Sequence, residues 1–151
     1  MKSSEKKYSS NHNVVHRCHY HAIWCVKYRR RLVAGKVAGR LHEIIHEVAS
    51  ECQSTILALG IVSDHVHLLC QVDPQFGVNR LIRRMKGRSS RLLRLEYPWL
   101  KKHARTLWTN SYFVTTVGEA TLEGVTWYVR KQRKRHGGLR TATGTQLNLF
   151  S

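Results

Sequence analysis

The chain has 151 residues, 26 of them Lys or Arg and 9 Asp or Glu, which gives a formal charge of +17 and a pI near 10.4. That length suits one domain with a real core, and a hydrophobic content of 42% is ordinary for a globular protein. The excess of cations points to a polyanionic partner, nucleic acid before a membrane surface, and argues against a general peptidase.

Residues 1–12 are polar and basic and read as a loose arm. From Val14 to Lys27 runs a β-rich stretch with Tyr20, Ile23, Trp24 and Val26 as strand formers, ended by the basic cluster Lys27-Tyr28-Arg29-Arg30-Arg31. A helix is expected over about 36–52, because Leu41, Ile44, Ile45, Val48 and Cys52 recur at the spacing of one buried stripe. A strand over 54–62 follows, then a short turn at Ser63-Asp64, then Asp64-His65-Val66-His67-Leu68-Leu69-Cys70-Gln71-Val72 as the next strand. Over 77–96, Val78, Leu81, Ile82, Met85, Leu92 and Leu93 form an apolar face opposite Arg80, Arg83, Arg84, Arg91 and Arg94, and Tyr97-Pro98 ends the helix. A strand is expected over 107–117. Gly118 breaks it, and a last helix runs from 121 to 135 with Leu122, Val125 and Val129 as its core stripe. Gly137-Gly138 ends that helix, and 139–151 reads as a polar tail.

The order β-α-β-β-α-β-α is that of a ferredoxin-like (RRM-like) α+β sandwich: an antiparallel sheet with helices on one face, plus a C-terminal helix. Nothing demands a second domain. No apolar run approaches the roughly 18–20 residues that span a bilayer, and the N-terminal residues lack the apolar stretch of a signal peptide. The chain therefore reads as cytoplasmic, with no membrane partner. Cys25, Cys52 and Cys70 lie in apolar contexts and read as reduced core residues; with Cys18 they form no zinc-module spacing.

Within the strand at 64–72, Val66, Leu68, Cys70 and Val72 share one face, and His65 and His67 share the other. Two neutral imidazoles so placed can grip one divalent cation, a transition metal or, with oxygen ligands added, Mg²⁺ or Mn²⁺. The competing reading is a pair of solvent-facing histidines. Tyr128 and Gln132 stand at i and i+4 on the last helix and share a face. Gln132 offers an oxygen, and Tyr128, among Arg130, Lys131, Arg133, Lys134 and Arg135, suits attack on a phosphodiester. Its bland alternative is an amphipathic tyrosine at the edge of a core stripe. On the helix at 77–96 the cations lack the carboxylates that balance a solvated face, with Glu96 only at its end, which favours phosphate contact. Trp108, Tyr112 and Phe113 are candidates either for stacking on unpaired bases or for plain core packing. His42-Glu43-Ile44-Ile45-His46 matches the HExxH pattern of zinc peptidases, but no third ligand follows it, and two surface histidines is the simpler reading.

With these residues assembled, the chain resembles the single-tyrosine HUH transposases of the IS200/IS605 insertion sequences, the TnpA type. The resemblance is carried by Tyr20-His21-Ala22-Ile23-Trp24-Cys25-Val26-Lys27-Tyr28-Arg29-Arg30, by Asp64-His65-Val66-His67-Leu68-Leu69, by Leu81 through Lys86-Gly87-Arg88-Ser89-Ser90-Arg91, by Leu107-Trp108-Thr109-Asn110-Ser111-Tyr112-Phe113, and by Thr116-Val117-Gly118 leading into Tyr128-Val129-Arg130-Lys131-Gln132. Ser63 stands where the resemblance leads one to expect proline.

The resemblance implies an enzyme that cleaves and rejoins single-stranded DNA at element ends, recognises hairpins there, and passes through a 5′-phosphotyrosine with a free 3′-OH. It implies Tyr128 as nucleophile, His65, His67 and Gln132 as ligands of Mg²⁺ or Mn²⁺, and a homodimer whose tyrosine helices can be exchanged. Lys27, Arg29, Arg30, Arg80, Arg83, Lys86, Arg88, Arg91 and Lys131 are the candidate DNA contacts. The alternatives are a domesticated relative acting on repeated palindromes and a non-catalytic single-stranded nucleic-acid-binding module.

Overall fold

The structure, a computed structural model, describes residues 8–10 and 14–134. The expected tail at 139–151, Gly137-Gly138 and most of the 1–12 arm lie outside the described residues. Within that arm Ser9–Ser10 (β1) pairs antiparallel with Val15–His16 (β2).

The rest alternates as the hydrophobic pattern predicts. β3 (His19–Cys25) leads through a single 3₁₀ turn at Lys27–Arg29 to α1 (Gly35–Glu51), then β4 (Thr55–Val62), β5 (His65–Gln71), α2 (Val78–Glu96), the short α3 (Trp99–His103), β6 (Phe113–Thr116) and α4 (Glu119–Lys134). The sheet order is β4-β5-β3-β6, every neighbouring pair antiparallel, which is the ferredoxin-like arrangement.

One face of the sheet carries the main core. Ala22, Trp24 and Val26 from the β3 side and Val66, Leu68, Cys70 and Val72 from the β5 side meet Leu41, Ile44, Ile45 and Val48 of α1 and Leu81, Ile82, Met85 and Leu93 of α2. Each fully buried side chain of this kind contributes roughly 1.5–3 kcal/mol. The alternation that buries Val66 and Leu68 there sends His65 and His67 to the opposite face. That face is not left open: α4 lies over β4 and β5, with Val129 packed on Leu69 and Ala58, and Leu122, Val125 and Tyr128 around them. Among the described residues no helix is long and apolar enough to cross a membrane.

Two segments depart from the sequence pattern. The strand expected over 107–117 shrinks to Phe113–Thr116. Before it, Trp108 turns inward, only 4% exposed, bridges Val26, meets Trp24 edge to face and donates its indole N–H to Ser89 Oγ at 2.9 Å. Residues 109–111 then curl so that their carbonyls accept from Lys86 Nζ at 2.7–3.3 Å. The turn α3, too short to show a periodic stripe, seats Leu100 in the core.

A candidate metal and tyrosine site on the sheet

His65 and His67 stand side by side on β5, 1% and 0% exposed, with their Nε2 atoms 3.0 Å apart. Around them runs an unbroken polar chain. Asp64 Oδ1 lies 2.6 Å from His65 Nδ1, and the Arg29 guanidinium donates to Asp64 Oδ2 at 3.0 and 3.2 Å. On the other side His67 Nδ1 lies 3.3 Å from His21 Nε2. The β3–β5 register explains the second contact: Ile23 faces His67 and His21 faces Leu69, so His21 is the diagonal neighbour of His67, within reach of a stacked ring.

The electrostatics keep the His67 and His21 rings neutral. Burial pushes the His67 imidazole well below its ordinary range, and the neighbouring His65 and His21 push it further. Burial alone lowers His21. At Asp64 burial opposes ionisation, but the hydrogen bonds from His65 and Arg29 and the electrostatic attraction to them outweigh it and hold the carboxyl at about 2. Neutral imidazole is the form that binds a cation. The Asp64 carboxylate accepts from His65 Nδ1 and so turns its Nε2 toward His67, as carboxylates commonly orient metal-binding histidines.

Tyr128 joins this pair from α4. Its ring meets that of His67 at 83° with centroids 5.8 Å apart, and burial pushes its hydroxyl above the usual phenol range. Gln132 follows one helical turn later in α4, but its side chain lies outside the described residues. Among the described residues no group of three or more His, Cys, Asp or Glu is placed to hold a metal ion. The donor set nonetheless fits one: two neutral nitrogens converge at the spacing they take on a single small cation, and the third donor has to be an oxygen outside those residue types, such as a glutamine amide or a phosphate. The HExxH histidines of α1 have rings 4.4 Å apart, but Glu43 is paired with Arg40 and no third ligand joins them among the described residues.

The candidate DNA contacts divide into two sets. Arg80, Arg83 and Arg91 are exposed on α2, and Arg83 and Lys86 help line a groove of about 390 Å³ that reaches Asn110 and Tyr112. Lys131 lies over the Trp127 ring at 4.3 Å, and Lys27 is half-buried beside Tyr28. Others are already engaged. Arg88 makes a two-pronged pair with Glu51 of α1, 2.6 and 2.7 Å, so the α2 ridge is not free of carboxylates as expected. Arg29 holds Asp64, Arg30 donates to the His103 carbonyl, and Lys86 ties down the 109–111 turn. Trp108 is core rather than a stacking surface, Tyr112 donates to Asn79, and Phe113 packs on Ile23 and Cys25. Sequence reasoning passed over the supporting roles of His21, Asp64 and Arg29; the signal for His21 was a second His-x-His, His19-Tyr20-His21, on a strand that pairs with the first.

Comparison with known proteins identifies the family. Residues 14–132 match the family described as Transposase IS200 like. The chain is 34% identical over 123 residues to the ISDra2 transposase TnpA of Deinococcus radiodurans, covering 80% of this chain and 88% of that one. It is 29% identical over 117 residues to the transposase for insertion sequence element IS200 of Salmonella typhimurium, covering 76% of each. A crystal structure from Deinococcus radiodurans R1, named as a candidate transposase, superposes with a TM-score of 0.68 at 32% identity, covering 82% of this chain and 97% of that one. The fold also matches a REP-associated tyrosine transposase bound to a REP hairpin, TM-score 0.62 at 12% identity, over 85% of this chain and 74% of that one. With its sheet, its paired histidines and a matched segment that runs into the tyrosine helix, the chain belongs to the IS200-like family of DNA transposases.

Proposed function

We propose that this transposase cleaves and rejoins single-stranded DNA through a covalent link to Tyr128, at a divalent-metal site held by His65, His67 and Gln132. The observation that carries the reading is the convergence of the two Nε2 atoms, 3.0 Å apart, with the Tyr128 ring against His67. Such a cation, Mg²⁺ or Mn²⁺, supplies a positive centre that polarises the scissile phosphate and orients it for in-line attack. For His67 to offer Nε2, its proton sits on Nδ1 and is donated to His21, whose Nε2 is in range at 3.3 Å. Asp64, fixed by Arg29, does the same for His65.

Tyr128 Oη attacks phosphorus, its proton passing to solvent. The O–P bond to the 3′-oxygen breaks, and that oxygen takes up a proton as it leaves as a 3′-OH. One phosphodiester is exchanged for a phosphotyrosine ester, so the bond energy is retained and a second 3′-OH can reverse the step on another strand. The exposed α2 cations bind the DNA backbone, and the substrate is a single strand with hairpin ends. The acting species is a homodimer in the cytoplasm, and 1–151 works as one domain.

The test is to incubate the protein with Mg²⁺ and single-stranded oligonucleotides copied from the DNA flanking its gene, then look for a covalent adduct on a denaturing gel. An adduct with one strand, absent with duplex and absent in Tyr128→Phe, is the expected result. Adduct formation that persists in Tyr128→Phe removes Tyr128 from the role given to it.

A further inference from the structure

The loop fastened to the residues just before His65 carries an exposed aromatic ring held in an unfavourable backbone. Tyr28 has φ 61° and ψ 19°, and Arg29 follows with φ 54°, two consecutive non-glycine residues in the left-handed region. β-carbon crowding makes such residues uncommon, and they persist where the surroundings over-determine them. Here the surroundings are explicit. Val26 N–H donates to the Asp64 carbonyl at 2.8 Å, Lys27 N–H to the Leu107 carbonyl at 2.9 Å, Arg29 N–H to the Val26 carbonyl at 2.8 Å, and Val33 N–H to the Ser63 carbonyl at 2.9 Å. The Arg29 guanidinium closes the loop on the Asp64 carboxylate.

The strain yields no burial in return, since Tyr28 is 74% exposed. Lys27 Nζ and the Arg30 guanidinium lie over its ring, 5.7 and 5.6 Å from the centroid. An exposed ring with two long, mobile cations loosely over it is the kind of element that single-stranded nucleic-acid surfaces use: a base takes the ring and the cations swing to its phosphates. The loop is fastened to Ser63 and Asp64, directly before His65, so whatever stacks on Tyr28 is placed at a fixed offset from the paired histidines.

We propose that Tyr28 is a stacking platform for one unpaired nucleobase of the DNA strand that enters the site, with Lys27 and Arg30 holding the adjacent phosphates. Tyr28 thereby positions the scissile linkage over His65 and His67. This rests on the single-strand cleavage proposed above. The platform ignores base identity, because every base presents a π face.

The experiment measures binding of single-stranded oligonucleotides from the flanking DNA by fluorescence anisotropy, in chelator so that no cleavage occurs, with one abasic position walked along the strand. For the unaltered protein, one abasic position should weaken binding by about tenfold. Tyr28→Ala should weaken the intact strand by about the same factor and show no further loss at that position, while Tyr28→Phe binds normally. Tyr28→Gly, which relieves the left-handed strain, should melt at a higher temperature than the unaltered protein and yet bind as weakly as Tyr28→Ala. Normal affinity in both Tyr28→Ala and Tyr28→Gly overturns the proposal. So does an abasic loss that survives in Tyr28→Ala, or a change in sedimentation without a change in DNA affinity, which would make the ring a contact between copies of the chain. Stacking with no Tyr128 adduct in Mg²⁺ would leave the platform standing and remove the cleavage chemistry; an adduct with Tyr28 silent would do the reverse.

Discussion

The rings of Tyr128 and His67 meet almost at right angles, 83°, with their centroids 5.8 Å apart, and both belong to one chain. Within a single copy, then, the tyrosine helix already rests against the histidine pair. What holds it there is the apolar contact of Val129 with Leu69 and Ala58, on the sheet face opposite α1 and α2.

That attachment can be weakened without touching the site. Val129→Ala should cost about 1–2 kcal/mol, from two lost methyl groups and the space left behind. The loss should be local. Hydrogen exchange in α4 should quicken by roughly tenfold while β5 amides keep their protection. Equal loss in both would mean that α4 and the sheet open as one unit.

Asp64→Asn keeps the shape of the side chain but removes the charge that fixes the His65 ring. Divalent-metal affinity should fall by about 10–100-fold, the usual effect of losing a second-shell carboxylate. Single-strand binding in chelator should stay within about twofold, because the amide oxygen can still accept from Arg29 and hold the Tyr28 loop, and the exposed cations are untouched. Titration calorimetry with Mn²⁺ and anisotropy with DNA give the two readings, and unchanged metal affinity would show that His65 needs no such support.

The buried imidazoles predict a pH dependence in the metal-free protein. Folded His21 and His67 bind protons less readily than the unfolded chain, whose value is 6.5, chiefly because burial disfavours the charged ring. Below 6.5 the unfolded chain takes up protons that the folded one refuses, so stability falls as pH falls through that window, by about 1.4 kcal/mol per unit of depression. Asp64, held at about 2 against an ordinary 3.8, adds a second loss as pH drops below 4. Thermal melts in chelator should therefore show a lower Tm at pH 5.5 than at 7.5, roughly as linkage requires. His21→Gln should flatten part of that slope. A Tm that is level over this range would contradict buried neutral rings.

On α2 the pairing pattern separates exposed cations, the ones proposed to meet DNA, from a cation held by a carboxylate of α1. Arg83→Ala and Arg91→Ala should each reduce the dependence of log K on log salt by roughly 0.7 for a single strand. Arg88→Ala should leave that slope unchanged, because Glu51 already neutralises Arg88. An equal change in all three would mean that DNA displaces Glu51.

Much of this was legible in the residues, for physical reasons that can be named. The alternation Val66, Leu68, Cys70 set the register of β5 and with it the side on which His65 and His67 stand. The stripes of α1 and α2 are strongly periodic, and both helices begin and end within about two residues of their expected bounds. The last stripe, Leu122-Val125-Val129, announced a buried face but not which surface would bury it, because packing partners have no signature in a single helix. The strand over 107–117 was misread in extent because Leu107, Trp108, Tyr112 and Phe113 are strand formers by type, whereas the pull of the core on Trp108 and of Lys86 on the 109–111 carbonyls is tertiary. The engagement of Arg29 and Arg88 was hidden for the same reason: their carboxylate partners are 35 and 37 positions away in sequence.

Burial also leaves the Tyr128 hydroxyl a phenol, with its proton held more tightly than in water. A phenol is a poor nucleophile. If Tyr128 is the nucleophile, that hydroxyl would be slow toward stray electrophiles between encounters. On the proposed reading its reactivity would arrive with the charges that accompany the substrate, and the site's silence at rest would follow from where the ring is packed.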